Sequence, residues 1–189
     1  MAKIYNIDTK FIYQIKVTLL GSEPEIWRTF QVPENYTLHK LHKVLQIVMG
    51  WKNYHLYEFK LGGISYGEPH SDYDGLMKNA KGVKLNQISQ PEKVEITYIY
   101  DFGDGWQHKI IVEKLFEMEA NISYPFCIDG ARACPPEDCG GIGGYAYFLD
   151  AIHDPMHEEH KQMLGWIGGE FNPETFNIKS INEKLSRIK

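Results

Sequence analysis

Hydrophobic and polar positions alternate along much of the first two thirds of the chain, and the period then lengthens to that of helices. Ile15, Val17 and Leu19 alternate with Gln14, Lys16 and Thr18, which predicts a strand over 11–20 closed by Gly21-Ser22-Glu23-Pro24. Residues 26–32 read as its antiparallel partner, stopped by Pro33. Leu38, Leu41, Leu45 and Val48 recur at helical spacing between a capping Thr37 and a terminating Gly50, so a helix runs over 38–49. Residues 55–60 and 64–66 suit a short hairpin around Gly62-Gly63, and the polar, turn-rich stretch 67–92 reads as a surface excursion. The strongest strand patterns are 94–100 and 107–116, rich in β-branched and aromatic residues and joined by the turn Asp101-Phe102-Gly103-Asp104-Gly105. Beyond Pro125, Pro135 and Pro136 come helices over 145–152, from Asp154-Pro155 to 166, and over 178–187. The order predicts one α+β domain over 1–189, with an antiparallel sheet, a helix inserted after the first two strands and a C-terminal group of helices.

Composition narrows the setting. The chain has 189 residues, 43% hydrophobic and 24% charged, as an ordinary globular protein does. No apolar run reaches the roughly 20 residues of a membrane helix, and residues 1–6 hold no apolar signal core. Three cysteines are an odd count that suits a reducing compartment, so a cytoplasmic location is expected. Residues 1–60 hold eight Lys/Arg against five acids, whereas residues 101–175 hold four against fourteen. Nucleic-acid binders draw most of their affinity from basic surfaces, so the acidic balance disfavours direct nucleic-acid binding.

Candidate chemistry concentrates in residues 98–141. His108, Cys127, Cys134 and Cys139 make up a soft four-ligand set of the kind that holds structural zinc. The spacing lacks a C-x2-C knuckle, and three packed thiols in a proline-stiffened loop account for the same residues. Asp101, Asp104, Glu137 and Asp138 converge if the proline loop folds back on the turn, as a divalent ion or acid–base chemistry requires. With Trp106 and Arg132 these acids frame an expected binding pocket, to which Tyr124 and Phe126 add apolar contacts. The Asp-Phe-Gly-Asp-Gly run is also sound turn chemistry, and its kinase-like triplet has no phosphate loop or strand lysine beside it. His42 lies on the apolar face of the first helix and suits a hydrogen-bonded core role. His157 and His160 do not make an H-E-x-x-H site. Gly140-Gly141-Ile142-Gly143-Gly144 reads as a flexible start to a helix.

Several blocks together resemble the plasmid pRiA4b open-reading-frame-three-like family. They include Trp27-Arg28, Leu41-His42, Met49-Gly50-Trp51, His55-Leu56, Tyr100-Asp101-Phe102-Gly103-Asp104-x-Trp106-x-His108, Cys134-Pro135-Pro136-Glu137-Asp138-Cys139-Gly140-Gly141 and Phe171-Asn172-Pro173. The resemblance spans about 11–185 and implies an α+β domain of a kind found on plasmids and mobile elements, with no established catalytic residues to carry over. The leading expectation is a cytoplasmic binding or interaction domain for a small molecule or protein, its cysteines pinned by zinc. The alternative is a metal-dependent hydrolase or nuclease-like enzyme using Asp101, Asp104, Glu137 and Asp138 with His108.

Overall fold

The computed structural model describes residues 10–69, 77–88 and 94–188. Its elements are β1 (Phe11–Leu19), β2 (Ile26–Pro33), α1 (Leu38–Met49), β3 (Tyr57–Leu61), β4 (Ile64–Gly67), β5 (Met77–Asn79), α2 (Leu85–Ile88), β6 (Glu95–Tyr100), β7 (Trp106–Glu117), β8 (Phe126–Ala131), α3 (Gly141–His153), α4 (His160–Ile167) and α5 (Ile178–Leu185). The strands form one sheet in the order β5-β4-β3-β6-β7-β1-β2-β8, antiparallel throughout except for the β4–β5 pair. This is the expected α+β fold, with α1 after the first two strands and a helical group at the C-terminus.

Alternation decides which face is buried. Ile96, Tyr98 and Tyr100 of β6 and Trp106, His108, Ile110 and Val112 of β7 are all buried, and the register sets Tyr98 opposite His108 and Tyr100 opposite Trp106. Leu38, Leu41, Val44, Leu45 and Val48 of α1 join them in one core. The Thr37 hydroxyl accepts from the Lys40 N–H at 3.2 Å to start α1, and left-handed Gly50 ends it.

The structure departs from the sequence reading in four places. Residues 67–92 are not wholly a surface excursion: Ala80 and Leu85 are fully buried. The segments 70–76 and 89–93 lie outside the described residues. Cys127 lies in β8, an edge strand that sequence reading took for loop. Asn182 of α5 covers that edge, accepting from Cys127 N–H at 2.7 Å and donating to its carbonyl at 2.9 Å. Helix α3 begins at Gly141 because those glycines permit tight packing. A Cβ on Gly141 would collide with the Asp104 carbonyl, and one on Gly144 with the Cys139 carbonyl. Helix α4 begins at His160, after turns at 155–159 that hold the bond from His157 N–H to the Asp154 carbonyl.

Two buried polar groups organise the core. Arg28 donates to the carbonyls of Val48, Trp27, Ala131 and Arg132 at 2.6–2.8 Å, so it ties the end of α1 to the chain leaving β8. His42 belongs to a closed ring of hydrogen bonds. Asn53 Oδ1 can only accept, so His42 Nε2 donates to it at 2.6 Å, and Nδ1 accepts from the Tyr98 hydroxyl at 2.8 Å. Gln46 Nε2 donates to that hydroxyl at 3.1 Å, and Gln46 Oε1 accepts from Asn53 N–H at 2.9 Å. The ring holds Asn53 in the left-handed conformation (φ 60°) and so sets the path of the chain into Tyr54 and His55.

Burial holds both His42 and His108 down at about 4, from an ordinary 6.5. The folded state therefore excludes protons that the unfolded chain binds. Stability is intact above pH 6.5 and falls as the pH drops from 6.5 towards 4, by on the order of 2 kcal/mol for each histidine at pH 5. Urea unfolding at pH 7.5 and pH 5 checks this, and equal stabilities would contradict it. Arg28→Lys removes the guanidinium fork that reaches four carbonyls and is expected to lower unfolding free energy by roughly 3 kcal/mol in the same assay.

Candidate functional site

Three segments meet at one end of the sheet: the 50–56 connection after α1, the 101–105 turn between β6 and β7, and the 132–140 loop after β8. The Tyr100 hydroxyl is their common point. It donates to Glu137 Oε1 at 2.5 Å and accepts from the backbone N–H of Tyr54 at 3.0 Å and of His55 at 3.4 Å. Burial, and then the Glu137 carboxylate, push its pKa beyond the ordinary 10, so it stays a donor at any physiological pH. Two further bonds fold the proline loop back: Trp51 Nε1 donates to the Pro135 carbonyl at 3.0 Å, and Lys52 N–H to Glu137 Oε1 at 3.2 Å. Asp104 Oδ2 accepts from Gly140 N–H at 3.1 Å and fastens the turn to the start of α3.

His55 stands between two carboxylates. Its Nδ1 lies 3.7 Å from Asp101 Oδ2, and its Nε2 lies 3.1 Å from Asp138 Oδ1. Despite that short distance, Nε2 is buried and lacks hydrogen-bond alignment with any partner among the described residues. Asp101 and Asp138 both hold the left-handed conformation (φ 57° and 61°), which aspartate tolerates better than most residues. Asp101 is braced by its Oδ1, which accepts from Gly103 N–H at 2.9 Å. One ligand atom from each of His55, Asp101 and Asp138 lies within 4.8 Å of the others, so the three can chelate a metal ion.

The soft set expected from sequence is dispersed. No three of His108, Cys127, Cys134 and Cys139 bring ligand atoms within 4.8 Å of one another. His108 is fully buried, its Nδ1 3.3 Å from the Tyr98 carbonyl. Cys127 Sγ faces the Thr29 and Asp129 carbonyls, and Cys134 Sγ lies 3.7 Å from Met49 Sδ. Burial raises the thiols of Cys127 and Cys134 to about 11 and that of Cys139 to about 12, so all three are protonated at neutral pH. They pack as small apolar groups. Of the expected pocket residues, Asp101, Asp104, Glu137 and Asp138 gather at the three-loop junction. Trp106 is buried, its ring 5.9 Å from that of Trp51, and Arg132 pairs with Glu174 at 2.9 Å and lines a separate cavity with Tyr145. His157 and His160 form separate bonds, to Glu159 N–H and the Ala151 carbonyl.

A cleft of about 470 Å³ opens on the Asp138 side, lined by Trp51, Lys52, Tyr54, Glu137, Asp138 and Trp166 among others. A smaller recess of about 250 Å³ lies on the His55 side, with His39, His42, Tyr57 and Glu68. The sequence reading assigned His55, Tyr54 and Tyr100 no role in the site, although His55 and Tyr100 fall within the family blocks, because nothing beside them signals convergence with the 132–140 loop.

The family profile of the plasmid pRiA4b ORF-3-like protein matches residues 11–180. The chain belongs to that family. It is 36% identical over 179 residues to the uncharacterized protein y4hQ of Sinorhizobium fredii (strain NBRC 101917 / NGR234), an alignment that covers 94% of this chain and 92% of y4hQ. It also resembles the crystal structure of the protein of unknown function MM3350 from Methanosarcina mazei Go1, at 39% identity and a TM-score of 0.83, covering 90% of this chain and 97% of that one. Among the described residues, no helix is long and apolar enough to cross a membrane.

Tyr100→Phe removes the atom that joins the three segments, takes the acceptor from the Tyr54 and His55 N–H groups and leaves Glu137 Oε1 with the Lys52 N–H alone. Stability is expected to fall by about 1–3 kcal/mol, with faster hydrogen exchange at Tyr54 and His55. Unchanged exchange at those two amides would show that the junction does not depend on the hydroxyl.

Proposed function

We propose that this family member is a cytoplasmic metal-dependent binding domain. His55, Asp101 and Asp138 hold a divalent cation, and the adjoining cleft takes a small organic ligand. The observation that carries this proposal is the His55 imidazole, flanked by two carboxylates with Nε2 buried and out of hydrogen-bond alignment. A buried nitrogen without a partner is costly, and a metal ion supplies the missing one. One imidazole nitrogen and two carboxylate oxygens are a donor set that zinc accepts with a fourth position open, so zinc is the proposed ion. Three unpaired cysteines support a reducing compartment and hence the cytoplasm.

A second, hydrolytic role rests on Glu137. Its Oε1 is fixed by Tyr100 and Lys52, while Oε2 has no hydrogen-bond partner among the described residues. A carboxylate held beside a three-ligand metal centre suits a base for a metal-bound water, with water supplied at the open position. The acids around the site disfavour a polyanionic substrate, so a nuclease is the less suitable form of that role.

Metal analysis of purified protein tests the proposal. About one zinc per chain is expected in the wild type. His55→Ala and Asp138→Asn are each expected to weaken binding by roughly 100-fold or more, since even outer partners of a metal ligand contribute 10- to 100-fold. Cys134→Ser should leave the metal content unchanged. A metal-free wild type would refute the proposal. Metal lost on Cys134→Ser would return the site to the thiols.

A further inference from the structure

We infer that the cleft beside this site recognises an organic cation, an ammonium or guanidinium group, which names the ligand class for the binding role proposed above. Three observations converge on that chemistry. Two aromatic side chains on the cleft wall are open to solvent: Tyr54 is 70% and Trp166 47% exposed. Trp166 is held from behind by an edge-to-face contact with Phe148 at 5.6 Å, so its exposure is not that of a loose side chain. The Asp138 side chain on the same wall is 66% exposed. Carboxylates beside aromatic faces recognise cations by charge and by attraction to the ring.

The chain already places a cation here. Lys52 Nζ lies 5.8 Å from the centroid of the Tyr54 ring, at the limit of the distance at which such contacts are counted. A ligand cation can take that position by displacing a flexible lysine towards solvent. Among the described residues, Lys52 is also the one positive side chain lining the cleft, against Glu137 and Asp138 in its wall and Asp101 and Asp104 in the adjoining turn. Four carboxylates outweigh Lys52 and a divalent ion together, so the field still favours a cation over an anion when the metal is bound. Asp138 and Trp166 line a second recess of about 300 Å³ with Tyr147, Phe148 and Met163, which extends the same carboxylate–indole surface beyond the first cleft.

Tryptophan fluorescence and calorimetry on the full chain test this with two cationic probes and two anionic ones. Spermidine presents free ammonium groups, N-acetylarginine amide presents a guanidinium, and acetate and inorganic phosphate serve as controls. At least one cation is expected to bind at millimolar or lower concentration, and neither anion to compete. Trp166→Ala is expected to weaken that binding roughly five- to thirtyfold, as is Glu137→Gln. Binding of spermidine alone would mark a free polyamine, and of N-acetylarginine amide alone an arginine side chain. The metal content of the same samples is measured separately. Cation binding that persists in metal-free protein would leave the ligand class standing even if the metal proposal fails. No binding of either cation at about 10 mM, equal binding by Trp166→Ala, or tighter binding of phosphate would overturn it.

Discussion

One oxygen atom holds the site together. The Tyr100 hydroxyl, at the end of β6, donates to Glu137 from one loop and accepts backbone N–H groups of Tyr54 and His55 from another. Its own position follows from sheet register, because Tyr100 pairs with Trp106 across the turn that carries Asp101 and Asp104. Removing a single hydroxyl therefore takes the acceptor from two N–H groups of one loop and a donor from Glu137 of another, and an unmade bond in a part-buried setting costs more than a made one returns. Around this point the rest is support: Arg28 joins the end of α1 to the chain after β8, and the ring through His42, Gln46, Tyr98 and Asn53 sets the approach to His55.

The chemistry follows from which polar groups these supports leave unsatisfied. The thiols are buried and protonated, and they lie apart from one another. His55 is different: it sits between two carboxylates that the backbone presents in strained left-handed conformations, a form of local strain that clusters at functional sites. His55 lines the smaller recess and Asp138 lines the cleft with Trp166, so an ion held by both would lie between the two. A metal-binding domain with a cation-selective cleft is consistent with the acidic balance of residues 101–175.

Elements with clear periodicity were legible in the sequence. The alternation of β1, β6 and β7 and the capped repeat of α1 gave their positions to within a residue or two, because local burial dictates them. β8 was not legible: a short edge strand after a proline has weak alternation, and its pairing with β2 is a long-range decision. The glycines at 141 and 144 read as flexibility, whereas close approach to Asp104 and Cys139 is what demands them. Turn signals beside Asp101, Asp104, Glu137 and Asp138 placed all four in loops, and Asp101 and Asp138 come within ligating distance of each other with His55. The expected cysteine–histidine cluster does not assemble because His108 on β7, Cys127 on β8 and the two loop cysteines, close in sequence, are carried to different places. His55 stood in a family block but carried no sign of a chemical role. It enters the site because three loops meet at one end of a sheet.

The most direct test of the metal centre is anomalous X-ray diffraction from crystals grown or soaked with zinc. A single strong anomalous peak is expected in coordination contact with His55, Asp101 and Asp138. No peak there, or one at Cys127, Cys134 or Cys139 instead, would contradict it.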